Sequence, residues 1–183
     1  YPLRAFLIHL HTFLHHQRIH YRIYVIEQID SQPFNKGKLL NIGAVAAMRA
    51  GYPCLILHDV NLLPLKVSNL YACTECPRHM SCTINKYRFV LPHVKMFGGA
   101  VAIVAKQFKE INGMSNEYKD WGGGNDDMYS RLEAHGQNVC RFDPETSYYF
   151  MFPHKSSVER FVNTNPHQYY LMGLRSSYIL HSS

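Results

Sequence analysis

Four short stretches hold the side chains whose types and spacing suit chemistry. CLILHDVNLLPL, Cys54 to Leu65, drives an apolar run into His58, Asp59 and Asn61 and then turns apolar again. DWGGGNDDMYSRL, Asp120 to Leu132, sets three glycines between Trp121 and the pair Asp126 and Asp127. Consecutive glycines let the backbone approach a ligand closely, and acids in a first helical turn are favoured by the helix dipole. By themselves those acids read as a helix start after a flexible loop. Trp121, the single tryptophan, changes the reading. One aromatic plate and two carboxylates suit a sugar ring, whose C–H face stacks while its hydroxyls bond to the acids. MFPH brings the thioether of Met151 and the imidazole of His154 three residues apart, which alone reads as one core and one surface residue. PFNKGK reads as a turn feeding a helix, with Phe34 a buried anchor and Lys36 and Lys38 a solvated edge.

These stretches need elements to position them. Phe6, Leu7, Leu10, Phe13 and Leu14 recur at helical spacing, predicting a helix over 5–16. YRIYVIEQI, 21–29, alternates and is β-branched, predicting a strand. A helix follows over 38–52, stopping near Gly51, and CLILHDV, 54–60, is the next strand. Strand, helix and strand in that span suggest a βαβ unit of a parallel sheet, in which ligands bind beyond the carboxyl ends of the strands. His58, Asp59 and Asn61 stand at such an end. Further on, YRFVL (87–91) suggests an edge strand, FGGAVAIV a strand after a glycine pair, and AKQFKEI a helix. A last helix is expected from near Asn125 to Gly136.

With 183 residues, 46% of them hydrophobic and 17% charged, the chain suits one globular domain with its own core. The formal net charge of +6 attracts phosphates of any kind. Its aromatics do not cluster with Lys and Arg as stacking platforms would, which argues against nucleic acid. No apolar run reaches 18 residues, and a start on YPLR suggests an excised piece whose targeting segment lies elsewhere. Five cysteines, 54, 73, 76, 82 and 140, are an odd number. Cys73 and Cys76 form a C-x-x-C, but no second one stands at zinc-finger spacing. One or two disulfides in a secretory compartment fit better, and spacing alone does not say which cysteines pair.

Taken in order, PFNKGKLLNIG, CLILHDVNLLPL, NLYACTECPRHMSCTINKYRFVLP, MFGGAVAIVAKQFKEINGMSNEY, DWGGGNDDMYSRL, the Met151–His154 pair and MGLRSSYIL resemble the β-1,4-galactosyltransferase family over nearly the whole chain. The resemblance implies an α/β domain of the GT-A glycosyltransferase fold, with a mixed, mainly parallel central sheet flanked by helices. It implies a Golgi-lumenal enzyme, a type II membrane protein in full length, whose membrane contact lies in a segment absent from this chain. Such enzymes move galactose, or in some members N-acetylgalactosamine, from a UDP-sugar to a glycan acceptor such as terminal N-acetylglucosamine. They use Mn²⁺ and invert the anomeric centre.

Residue by residue, the resemblance assigns Arg4, Phe34, Asn35, Lys36, Asp59, Val60, Lys86, Met96, Gly99 and Trp121 to the nucleotide sugar. It assigns Gly123, Gly124, Asn125, Asp126 and Asp127 to the acceptor, and Asn61, Met151 and His154 to the metal. It pairs Cys54 with Cys73 and leaves Cys76, Cys82 and Cys140 unassigned. Four departures stand beside these matches. Lys36 replaces an arginine, keeping the charge and losing the bidentate fork. Asn61 replaces the acid that ligates the metal, and hard cations favour charged oxygen. Asn125 replaces the aspartate that serves as general base, and an amide takes no proton at neutral pH; a one-residue shift of the glycine loop would bring Asp126 to that role. Met96 stands where a residue selects galactose or its N-acetyl relative, and its flexible side chain leaves the donor open. Two readings follow: an inverting transferase, or a catalytically silent relative that binds nucleotide sugar or glycan or serves as a partner subunit.

Overall fold

A computed structural model describes residues 2–119 and 123–153. The first helix, α1 (Pro2–His16), buries Phe6, Leu10, Phe13 and Leu14 along one stripe, as their spacing predicts. α2 (Lys36–Arg49) begins at Asn35, whose side chain accepts from the Lys38 amide, and ends as the chain turns through Gly51 at φ 83°. α3 (Ala105–Glu110) follows directly on its strand, and α4 spans Gly124–Ala134 with Gly136 just beyond it in the left-handed region.

β1 (Cys54–His58) pairs with β5 (Ala100–Val104), which pairs with β3 (Arg78–His79). A second small sheet orders β2 (Leu62–Pro64), β6 (Tyr148–Met151) and β4 (Thr83–Ile84). The β1–β5 register runs from Cys54 opposite Val104 to His58 opposite Ala100. Because side chains alternate along a strand, Leu55, Leu57, Val101 and Ile103 fill a core covered by α2, α3 and α4. Ala100, Ala102 and Ile56 face the other way, onto α1 and the second sheet. The first sheet is thus a layer between two cores, which is the helix-flanked mixed α/β architecture the fold class requires.

Two local expectations change. Residues 21–29 join no ladder, so the parallel βαβ pairing does not form among the described residues. Of the ladders described, β1–β5, β3–β5 and β2–β6 are antiparallel, and β4–β6 is parallel. Alternation reports which face is buried; it carries no record of the neighbour or its direction. YRFVL is not an edge strand either. A 3-10 turn (Asn85–Tyr87) leads into Arg88 and Phe89 at positive φ, with Phe89 N–H donating to the Ile84 carbonyl. Local turn bonds there override β propensity.

Cys54 is bridged to Cys73 and Cys76 to Cys140, while Cys82 is a buried free thiol. Closing loops of 19 and 64 residues stabilises the fold by roughly 3–4 kcal/mol each through the unfolded chain. No helix among the described residues is long and apolar enough to cross a membrane.

Two buried histidines make stability depend on pH. Burial pushes His58 down to about 4 and, with Arg141 beside it, His79 down to about 3. Both stay neutral in the fold and take up protons once unfolded, so their contribution is complete above pH 6.5 and fades as pH falls toward 4. Equilibrium urea unfolding should lose roughly 3–4 kcal/mol between pH 7 and pH 5, and a flat profile over that range would contradict the burial of these rings.

Candidate active site

The end of β1 explains the polar residues inside an apolar run. The strand stops at His58, Asp59 N–H donates to the Gly99 carbonyl at 2.8 Å, and Leu62 N–H donates back to the Asp59 carbonyl at 3.1 Å. The chain therefore turns through Asp59, Val60 and Asn61 and re-enters the interior as β2, with Leu62 fully buried. Gly99 permits this approach. Its φ is +75°, and a Cβ there would lie 2.6 Å from both the Leu62 side chain and the Ser81 hydroxyl.

His58 anchors the tip from below. Its Nδ1 donates to the Asp59 carbonyl at 2.9 Å, which leaves Nε2 to accept from the Tyr71 hydroxyl at 2.8 Å. The Tyr71 oxygen then accepts from the Tyr149 hydroxyl at 3.1 Å, and Asn69 donates to Tyr149 at 3.4 Å. A neutral ring is what this chain of bonds needs, and burial supplies it. Tyr149 lies on β6, two residues before Met151. The tip of β1 and the far wall are therefore held together through one buried polar chain. Residues Tyr71 and Tyr149 escape sequence reading because 78 positions separate them.

Beside the tip, Lys36 opens α2 and its Nζ lies 2.5 Å from Asp59 Oδ1, both side chains partly shielded. No acid stands in the first turn of α2. A cation at that end opposes the helix dipole, and the Asp59 carboxylate offsets it. Asn35 is not among the residues that line the cleft. Its carboxamide is buried, accepting from Lys38 N–H and donating to the Asn116 carbonyl, because the helix start needs a cap. Phe34 is 47% exposed and lines the opening, so it is no buried anchor.

α4 supplies the third wall. Asn125 lays its carboxamide on the bare backbone of Gly98. Asp126 is exposed to the cleft, whereas Asp127 turns inward and bonds Arg131 Nε at 2.6 Å, fully buried. Burial raises Asp127 from its ordinary value although Arg131 opposes this. Asp127 is therefore a structural ion pair and leaves the acceptor set proposed for it. Gly123 packs against the ring of Tyr118, an aromatic of the cleft wall that no motif had singled out.

Together these walls enclose a cleft of about 890 Å³, a size that suits a nucleotide-sized ligand. Phe34, Lys36, Asp59, Val60, Asn61, Lys86, Met96, Gly99, Gly123, Gly124, Asn125, Asp126 and Met151 all line it. Leu62 pairs with Met151, and Phe152 N–H donates to the Asn61 carbonyl at 2.9 Å, so the strand tip and the methionine do meet. Arg4, exposed on α1, does not line the cleft. Trp121 and His154 lie outside the described residues. The described donors suit a hard divalent cation poorly. Asp59 is engaged by Lys36, Asn61 offers an amide and Met151 a thioether. No group of three His, Cys, Asp or Glu that could hold a metal occurs among the described residues.

A helix-flanked mixed sheet with an acid at a strand tip, facing one deep cleft, is the architecture of a GT-A glycosyltransferase domain. Residues 1–74 match the model described as the N-terminal region of glycosyl transferase group 7, and residues 78–155 match that of the N-terminal domain of galactosyltransferase. β-1,4-galactosyltransferase 6 of Mus musculus is 40% identical over 153 residues, covering 83% of this chain and 40% of the relative. β-1,4-galactosyltransferase 3 of Homo sapiens is 40% identical over 172 residues, covering 93% and 43%. A crystal structure of a Drosophila β-1,4-galactosyltransferase 7 point mutant, complexed with manganese, UDP-Gal and xylobiose, superposes with a TM-score of 0.77 at 30% identity, covering 88% of this chain and 71% of that one. The chain belongs to the β-1,4-galactosyltransferase family. It spans about two fifths of the length of the curated relatives it matches.

Gly37, which lines the cleft, and Gly98, under Asn125, should respond differently to a methyl group. A Cβ on Gly37 would run into the Ser115 carbonyl oxygen, part of the backbone, whereas at Gly98 its three nearest atoms would be those of the movable Asn125 carboxamide. Gly37→Ala should cost about 1–3 kcal/mol in urea unfolding, and Gly98→Ala clearly less. Equal costs would show that the Gly37 approach is not tight.

Proposed function

We propose that the chain is the catalytic part of an inverting transferase that moves galactose or N-acetylgalactosamine from a UDP-sugar to a terminal N-acetylglucosamine-type acceptor in β-1,4 linkage. The carrying observation is the convergence on one cleft of two lysines and two carboxylates, Lys36, Lys86, Asp59 and Asp126, from four separate segments. The lysines suit a diphosphate. Asp126 is the acid of the α4 start that reaches the cleft, and so it takes the general-base role that an amide at Asn125 cannot fill. The solved relative, complexed with UDP-Gal and xylobiose, supports a nucleotide-sugar donor and a glycan acceptor.

In this reading an acceptor hydroxyl attacks the anomeric carbon as its bond to the diphosphate oxygen breaks. Asp126 takes the hydroxyl proton, UDP leaves with the bonding pair, and the lysines stabilise the charge gathering on it. A single displacement inverts the centre. Met96 and Tyr118 line the cleft where donor selectivity would be set. The relative is complexed with manganese, but the donors this chain offers at the strand tip are not those a hard divalent ion favours. One held by Asn61, Met151 and His154 would bind weakly, since all three donors are neutral. The two disulfides fit an oxidising compartment, and we place the protein in the Golgi lumen.

A second reading is favoured by one observation: the family's base position is an amide, Asn125, seated on Gly98. It makes the chain a silent relative that binds nucleotide sugar or glycan, or assists a partner subunit. Release of UDP from UDP-galactose or UDP-N-acetylgalactosamine, with an N-acetylglucosamine acceptor, separates the two. Turnover is expected, and Asp126→Asn should lower it by about 10²–10⁴-fold. UDP binding without turnover supports the silent relative. In the same assay Asn61→Asp combined with Asn125→Asp should raise the rate and its Mn²⁺ dependence, and an unchanged rate would refute the roles given to these two positions.

A further inference from the structure

We propose that this site binds its nucleotide diphosphate without a divalent ion, Lys36 supplying the positive charge that an ion would bring. The inference rests on the nucleotide-sugar reading above and goes further on the chain's own charges. With a neutral amide at Asn61, a metal at the strand tip would find its one negative charge in the turn that links β1 to β2 at Asp59. The Lys36 ammonium already sits 2.5 Å from its Oδ1, with 29% of the lysine and 15% of the aspartate side chain exposed. A dication brought to that carboxylate would face the ammonium at short range, in a place only partly screened by water. The remaining described donors, the Asn61 amide and the Met151 thioether, add no negative charge to offset the repulsion.

An incoming diphosphate meets the opposite situation. Lys36 lies at the positive end of the fourteen-residue α2, which has no acid in its first turn, and Lys86 lines the same cleft. The lysine side chain is long and lies at the cleft wall, so it can turn from Asp59 to a phosphate oxygen or bond both. Asp59 therefore acts as a placeholder anion that keeps the ammonium aimed into the cleft, a positioning residue for the cation.

Isothermal titration with UDP, in excess EDTA and again with saturating Mn²⁺, tests this without reference to turnover. The dissociation constant should differ by less than about threefold between the two conditions. Lys36→Met should weaken UDP by at least about tenfold in EDTA, the size of one lost charge-assisted contact, and Lys36→Arg should restore it. Thermal unfolding of both variants checks that the fold is kept. Asn61→Asp, which adds the missing charge at the tip, should make UDP binding respond to Mn²⁺. Binding that disappears in EDTA and returns with Mn²⁺ overturns the inference and leaves the nucleotide-sugar reading standing. Full metal-free affinity in Lys36→Met overturns the role of that lysine. No UDP binding in either condition overturns both readings together.

Discussion

A carboxylate at the end of a buried strand with an ammonium held against it, Asp59 with Lys36, is the contact on which the arrangement of the cleft turns. Asp59 can stand there only because its own backbone is tied to Gly99 and Leu62 and its neighbour His58 is tied to Tyr71. Lys36 can reach it only because Asn35 ends the preceding loop and starts α2 at that point. The pair is partly desolvated, so each charge needs the other. Loss of one partner would leave a shielded charge alone, which costs more than an exposed pair is worth.

The cleft walls are positioned by polar side chains that bond the backbone of other segments. Asn41, on the buried face of α2, donates to the Met114 carbonyl and accepts from the Met114 amide, fixing the loop that carries Ser115 and Tyr118. Ser81 bonds the Gly98 carbonyl and the Ala100 amide, which holds the glycine pair under Asn125. Asn85 exchanges bonds with the Met151 backbone, setting the end of β6. Each is a buried or half-buried amide or hydroxyl whose partner lies far along the chain. Such groups are costly when unpaired, so they specify one arrangement.

The helices were the most legible part of the fold. α1, α2 and α4 carry their own evidence: an apolar stripe, a cap residue, or a glycine stop within one element. The strand over 54–58 was also plain from its apolar run. Partnership was not. Residues 21–29 have the composition of a strand and pair with no strand among the described residues, while β1 takes β5 as its antiparallel neighbour from far along the chain. In the site, Asp59, Asn61 and Asp126 were singled out by type and position, and Lys36, Asn125 and Met151 only by the family resemblance; all six line one cleft. Asn35 and Asp127 spend their side chains on a helix cap and a buried ion pair, which use the same chemical groups as a ligand site and look no different in sequence.

What the chain determined by itself was everything that depends on near neighbours: helix stripes and caps, the polar break after the apolar run, the basic surplus, and the family to which the motifs belong. Tertiary structure alone decided which groups still face the cleft after folding. Asp126 and Asp127 are adjacent and chemically identical, yet one is exposed and the other sealed against Arg131, because a helix turns about 100° per residue and the core lies on one side. The same holds for the closure of Cys76 onto Cys140 and the contact of Lys36 with Asp59. Each depends on a distance set by packing between segments, and a one-dimensional pattern contains no such distance.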